Sequence, residues 1–159
     1  MNKTSEQGID FIQGWEGCRL EAYQDVAGVW TIGYGTIRYP NGQRVGQGDA
    51  CTVDEADHWF RLDLRHTEDA VDDLTIDAVA GHQFDPIVSF AYNLGTGAYR
   101  GSTLRKLINT NPNNPAIRWE WMKWHHANHK PVEGLWNRRW AETCVYCADN
   151  PPRPTFPHA

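Results

Sequence analysis

The chain has 159 residues, 40% hydrophobic and 22% charged, with a formal net charge of -5 at pH 7. That length holds one domain, or two small lobes sharing a core, and the composition excludes a disordered, collagenous or membrane-spanning chain. The charge is uneven: an acidic run extends from Asp49 to Asp77, while the last third is basic, without the pattern of a nucleic-acid module.

The acidic run reads as the solvated face of a helix, and the basic part as a solvated surface that also suits an anionic polymer. Eight Trp are expected to serve the core first, with exposed rings suited to the apolar faces of sugars. The segment from Met1 to Gly8 has no apolar stretch for an export signal or a membrane span. Cys18, Cys51, Cys144 and Cys147 leave their pairing open, and free thiols are the expectation in a reducing compartment.

Thr4-Ser-Glu-Gln7 has capping-box spacing and opens a helix to about Trp15. Ile9, Ile12 and Glu16 follow at helical spacing, so a carboxyl group stands on the apolar side, a setting that suits a proton donor. Residues 20–46 are rich in β-formers broken by Ala27-Gly28 and Pro40-Asn-Gly42, which predicts two tight hairpins. A strand over 29–35 would place Thr31, Gly33 and Gly35 on one face, the glycines leaving room for a ligand beside Thr31. A turn near 26–28 would bring Asp25 close to Thr31.

Thr52-Val-Asp-Glu55 is a second capping box and starts a long helix into the sixties or seventies. Asp85-Pro86 fits a cap and first turn for a helix over 86–94 that ends at Gly95. Ser102 caps 103–109, a helix spans 115–127, and a last helix spans 135–148. The Pro-rich tail over 150–159 is expected to trail as an extended segment.

The spacing Glu16-x8-Asp25-x5-Thr31, followed by Ile-Gly-Tyr-Gly-Thr36, resembles the phage-type lysozymes, family 24 of the glycoside hydrolases. So do Gln83-Phe-Asp-Pro-Ile-Val-Ser-Phe-Ala-Tyr-Asn-Leu-Gly95, Ser102-Thr-Leu-Arg-Lys-Leu-Ile-Asn109 and Gly134-Leu-Trp-Asn-Arg-Arg-Trp-Ala-Glu142. The resemblance implies an α+β, mainly α, lysozyme-like fold over residues 1–149. Its small antiparallel β lobe (about 17–50) would be joined by a long helix to a larger helical lobe (52–149 with the N-terminal helix 5–16).

The resemblance further implies hydrolysis of the β-1,4 bond between N-acetylmuramic acid and N-acetylglucosamine in peptidoglycan. Glu16 would be the general acid, Asp25 and Thr31 would act on water, and Arg138 would be the acid's basic partner. Gly33, Phe90, Asn93 and Ser102 become candidate substrate-binding residues that also have plain structural readings. No metal or cofactor is implied. The partners would be peptidoglycan strands, and the protein a monomer without stable membrane insertion. It would wait in the host cytoplasm until a partner pore, the holin, releases it to the wall.

Three other readings compete. Lytic transglycosylation keeps one catalytic Glu and lets a sugar hydroxyl attack, which the presence of Asp25 and Thr31 disfavours. A wall-binding module would carry the same residues without catalysis. A zinc-structured protein would use His125, His129, Cys144 and Cys147, each pair on one helical face. Cys18, two residues after Glu16, is placed where oxidation would disturb the acid or a disulfide would stiffen the link to the hairpin.

Overall fold

The computed structural model describes residues 2–157. The chain divides into two compact units, Ile9–His66 and the residues up to Gly8 together with those from Thr67 onward. It passes from one unit to the other within two helices, α1 (Glu6–Glu16) and α2 (Val53–Leu74). Most of α1 therefore groups with the sheet rather than with the later helices.

In the first unit, α1 ends at Glu16 because Gly17 takes a left-handed conformation (φ 70°) and its N–H closes on Gln13 O at 3.1 Å. The chain then enters β1 (Arg19–Gln24), which pairs antiparallel with β2 (Trp30–Gly33). On its other side, β1 bonds to residues 49–51 through Ala22 N–H to Asp49 O and Cys51 N–H to Leu20 O, each 2.9 Å. The strand expected over 29–35 stops at Gly33. Gly33 and Gly35 both have positive φ, and a tight reversal returns Thr36 to pair with Ile32.

The second expected hairpin consists of one bridge, Arg38 to Arg44, around the Pro40-Asn41-Gly42 turn. Gly33 does not open space for a ligand: a Cβ there would lie 3.0 Å from the Ala56 Cβ on α2. Its absence lets the strand end approach the helix closely. Tyr34 packs on Phe60 and Tyr39 on Trp59, with ring centroids 5.4 and 4.9 Å apart, over a core of Ile32, Val45, Ala56 and Leu64. α2 starts as its sequence predicts, with Glu55 N–H on Thr52 Oγ1 and Thr52 N–H on Glu55 Oε2.

In the second unit, α3 (Gly81–Leu94), α4 (Thr96–Gly101), α5 (Thr103–Thr110), α6 (Ala116–Met122) and α7 (Glu133–Cys147) follow in order. α3 begins five residues before the expected Pro86 start and runs through the proline. Two local facts explain this. Gln83 Oε1 takes the Ala80 N–H at 3.0 Å, half of a capping box. Asp85, the expected cap, is already engaged: it accepts from Ser5 N–H at 2.9 Å and from Ser5 Oγ at 2.5 Å.

That engagement also corrects the N-terminal cap. Ser5, not Thr4, caps α1, with Gly8 N–H on its Oγ at 3.1 Å; Asp85 takes the Ser5 amide, and Glu68 rather than Gln7 takes the Thr4 amide. Nor is the acidic run wholly a solvated face. Glu68 is buried and takes the Thr4 N–H, and Asp72 takes the Asn2 N–H.

α4 is masked in the sequence by Gly97 and Gly101, poor helix formers; it is anchored by fully buried Tyr99, whose hydroxyl meets Thr75 Oγ1 at 2.9 Å. α6 ends at Met122, well short of the expected residue 127. A two-stranded ribbon follows, β3 (His126–Ala127) with β4 (Lys130–Pro131), turning through Asn128 and His129 at φ 49° and 61°. The His125-x3-His129 spacing is thus not helical, and the His125 Nδ1 lies 2.6 Å from Met122 O. Among the described residues no three His, Cys, Asp or Glu gather in metal-ligand fashion. All four cysteines are free thiols, with Cys18 and Cys147 exposed.

The tail does not trail. Trp136 Nε1 donates to Pro154 O at 3.2 Å, Phe156 packs on Trp136 and His125, and Arg153 bonds to Asn137. It extends the apolar cluster of Met122, Trp136 and Trp140. No helix among the described residues is long and apolar enough to cross a membrane.

This packing is testable in two places. A Cβ on Gly8 would lie 2.5 Å from the Asp85 Cγ, so Gly8→Ala lowers the melting temperature. Asp85→Ala alone lowers it too, by the equivalent of roughly 1–3 kcal/mol for a lost charged partner of a backbone amide. The double variant recovers part of the loss, because the two closest contacts, with the Asp85 Cγ and Oδ2, are gone and only the Cβ at 2.8 Å remains; thermal unfolding of all four proteins reads the coupling. At the other end of the chain, Phe156→Ala destabilises the protein by roughly 1–3 kcal/mol for a partly buried aromatic, and no loss of melting temperature would contradict a docked tail.

Candidate active site

Both carboxylates and the hydroxyl of the Glu16, Asp25 and Thr31 constellation lie in the first unit. Glu16 is the last residue of α1 and is half-buried; its helix-mates Ile9 and Ile12 are buried beneath it in the periodic pattern. The turn at Gly17 therefore delivers the carboxyl to the point where the helix gives way to the sheet.

Asp25 closes the β1–β2 turn. Its Oδ1 accepts from the N–H groups of Ala27 and Val29, each at 2.8 Å. Its own N–H donates to Val29 O at 3.0 Å, and Gly28 N–H donates to Asp25 O at 2.9 Å. An Asp side chain is well suited to this, since its short reach bonds the backbone two residues on. Oδ2 makes no hydrogen bond among the described residues.

Thr31 pairs with Tyr23 across the ribbon, and Gln24 pairs with Trp30. Strand alternation then puts Tyr23, Asp25, Val29 and Thr31 on one face and Trp30 on the other. Thr31 is buried, and its hydroxyl donates to Val29 O at 3.0 Å. The single hydroxyl proton is used there, so Oγ1 presents lone pairs to any further partner. Asp25 Oδ2 and Thr31 Oγ1 are two acceptors on one face of a pinned turn, an arrangement suited to the two protons of a water molecule. In the same unit, burial pushes the Tyr34 phenol above its ordinary range, with the Cys18 thiol adding to the effect.

Arg138 and Arg139 lie in the second unit, and neither faces solvent. Arg138 Nε meets Glu142 Oε1 at 3.3 Å, and its Nη2 donates to Ser89 O at 3.3 Å. Arg139 Nε is 3.1 Å from Glu142 Oε2, its Nη2 donates to Asn93 Oδ1 at 2.8 Å, and its guanidinium lies 5.2 Å from the Phe90 ring centroid. Glu142, wholly buried, also accepts from Ser89 Oγ and Trp121 Nε1 at 2.7 and 2.8 Å.

Of the candidate substrate-binding residues, Phe90 is 0% exposed and stands amid Tyr99, Trp121 and Trp124. Ser102 caps α5, accepting from Arg105 N–H while donating to Tyr99 O, and Gly33 faces Ala56. These three therefore hold the fold where they stand. Asn93 orients Arg139. Glu142 and Ser89, which hold the Arg138 guanidinium, were not singled out from the sequence; the i, i+4 and i, i+3 spacing of Arg138 and Arg139 to Glu142 was the available signal.

A family model described as phage lysozyme matches residues 13–142. The endolysin of Bacillus phage PZA is 34% identical over 94% of this chain, which spans 57% of that relative's length. The endolysin of Acyrthosiphon pisum secondary endosymbiont phage 1 is also 34% identical, over 89% of this chain and 96% of its own. Among solved structures, the endolysin from Escherichia coli O157:H7 phage FAHEc1 superposes with a TM-score of 0.83 at 35% identity, covering 91% of this chain and 92% of the other. With its β1–β2 sheet and its Glu-Asp-Thr segment inside the matched span, the chain belongs to the phage lysozyme family.

Proposed function

We propose that the protein is an endolysin-type muramidase that hydrolyses the β-1,4 bond between N-acetylmuramic acid and N-acetylglucosamine. The observation that carries the mechanism is the Asp25 turn, which leaves one carboxylate oxygen open on the face that Thr31 shares. Family membership supports the substrate class, and the site residues come from matching the family's spacing.

Glu16 donates its proton to the glycosidic oxygen as the bond to the anomeric carbon breaks. A water held by Asp25 Oδ2 and Thr31 Oγ1 attacks that carbon from the opposite face, and Asp25 takes the water's proton. Each acid or base contribution is worth about 10²–10⁴ in rate. A water between base and sugar makes this single displacement, so the anomeric configuration inverts; that geometry needs roughly 6.5–9.5 Å between the carboxyl groups. Arg138 is the supporting basic residue, with Glu142 and Ser89 holding its guanidinium in place. For delivery, we propose that a monomer waits in the host cytoplasm and reaches the wall through a holin pore.

Turbidity loss of outer-membrane-stripped bacterial cells tests the roles. Glu16→Gln and Asp25→Asn each lose about 10²–10⁴ in rate, with melting temperatures near wild type. Asn at position 25 keeps an oxygen for the Ala27 and Val29 amides, so its loss reports the missing base and not a broken turn. Thr31→Val loses less, because Asp25 still holds the water. Wild-type rates in Glu16→Gln would overturn the mechanism, and 1,6-anhydromuramyl ends as the main product would replace hydrolysis by transglycosylation.

A further inference from the structure

The hairpin that carries Asp25 and Thr31 also borders a cavity, with side chains from both of its faces at the wall. The cavity, of about 340 Å³, is walled by Val29, Trp30, Ile37 and Val45 and flanked by Arg38 and Arg44. The two arginines are direct cross-strand partners in the 37–45 hairpin. Like charges directly opposite each other destabilise an antiparallel pair. No carboxylate among the described residues relieves them: Arg38 Nη1 bonds only to Gly42 O, at 2.5 Å, and the Arg44 side chain has no hydrogen-bond or ion-pair partner.

The apolar wall is equally unusual for a surface. Val29 and Ile37 are exposed, and Val26 at the tip of the same turn is fully so. Apolar side chains grouped beside unpaired cations mark a binding surface rather than a scattered exposure. Pocket and hairpin share backbone: Val29 and Trp30 lie between Asp25 and Thr31 in sequence and in the ribbon.

We propose that this cavity is a subsite for the peptide stems of peptidoglycan, in which Arg38 and Arg44 hold a stem carboxylate and Val29, Ile37 and Trp30 receive its alanine methyl groups. This rests on the muramidase reading for its choice of polymer. A stem peptide alternates small apolar residues with free carboxylates, which is the mixture the cavity offers partners for. The guanidinium fork matches a carboxylate in two parallel hydrogen bonds. A stem held there would tether the glycan strand to the hairpin that positions the attacking water.

The test is an NMR titration of the full, isotope-labelled chain with a free stem tetrapeptide, its fully amidated counterpart, and inorganic phosphate. The tetrapeptide shifts the signals of Val29, the Trp30 indole, Ile37 and Arg44. Amidation abolishes the response, and R38Q/R44Q weakens binding roughly 3- to 10-fold, as for partly exposed charge pairs. An unchanged response to the amidated peptide, to R38Q/R44Q, or to phosphate in place of the peptide overturns the proposal. In kinetics, R38Q/R44Q raises KM on peptide-bearing walls and leaves kcat, and all rates on peptide-free glycan strands, unchanged. A chain that binds the peptide yet cleaves neither polymer refutes the muramidase reading and keeps the subsite; full cleavage without peptide binding refutes the subsite alone.

Discussion

Asp25 Oδ1, by accepting the amides of Ala27 and Val29, fixes where the β1–β2 ribbon reverses. Because side chains alternate along a strand, a reversal one residue earlier or later would turn Thr31 away from Asp25 and bring Trp30 in its place. The same group that sets the register then offers its second oxygen to the proposed water. Structure and chemistry are thus carried by two atoms of one side chain, and the choice of Asp over Glu follows from the short reach that the turn demands.

Elsewhere the molecule relies on places where a side chain is absent. Gly33 lets β2 end against Ala56 of α2, and Gly8 lets α1 begin against Asp85 of α3. In both cases a polar or backbone requirement decides the geometry, and the apolar core fills in around it. The buried Arg138, Arg139 and Glu142 group is a costlier device. Charges removed from water need compensating partners, and here Ser89, Asn93 and Trp121 supply several of them. Such a group adds little to stability over an apolar core, but it holds guanidinium groups in fixed orientations that a flexible surface side chain lacks.

What the sequence made legible were local signals with local causes. The Thr52–Glu55 box, the Ser102 cap, the stop at Gly95 and the turn between Asp25 and Thr31 all depend on residues within a few positions of one another, and all stand as expected. The errors share a cause of the opposite kind. Asp85 reads as a cap for its own helix, yet it serves Ser5, eighty residues earlier in the chain. Phe90 and Ser102 stand in family blocks and read as either ligand contacts or structural residues, and burial and a helix end give each a structural role. The tail reads as loose because proline and polar residues dominate it, yet Phe156, the Pro154 carbonyl and Arg153 dock it together. Long-range pairing leaves no periodic trace, so only the folded chain reveals it.

The proposed mechanism stands or falls on whether water, held by Asp25 and Thr31, is the nucleophile in a single displacement. The anomeric configuration of the newly formed reducing end decides this, followed by proton NMR during the first turnovers and before mutarotation equilibrates the product. Direct attack by water forms the α anomer first from the β-linked strand. A β anomer formed first would show double displacement through a covalent intermediate, and would contradict a nucleophilic water on the Asp25 turn.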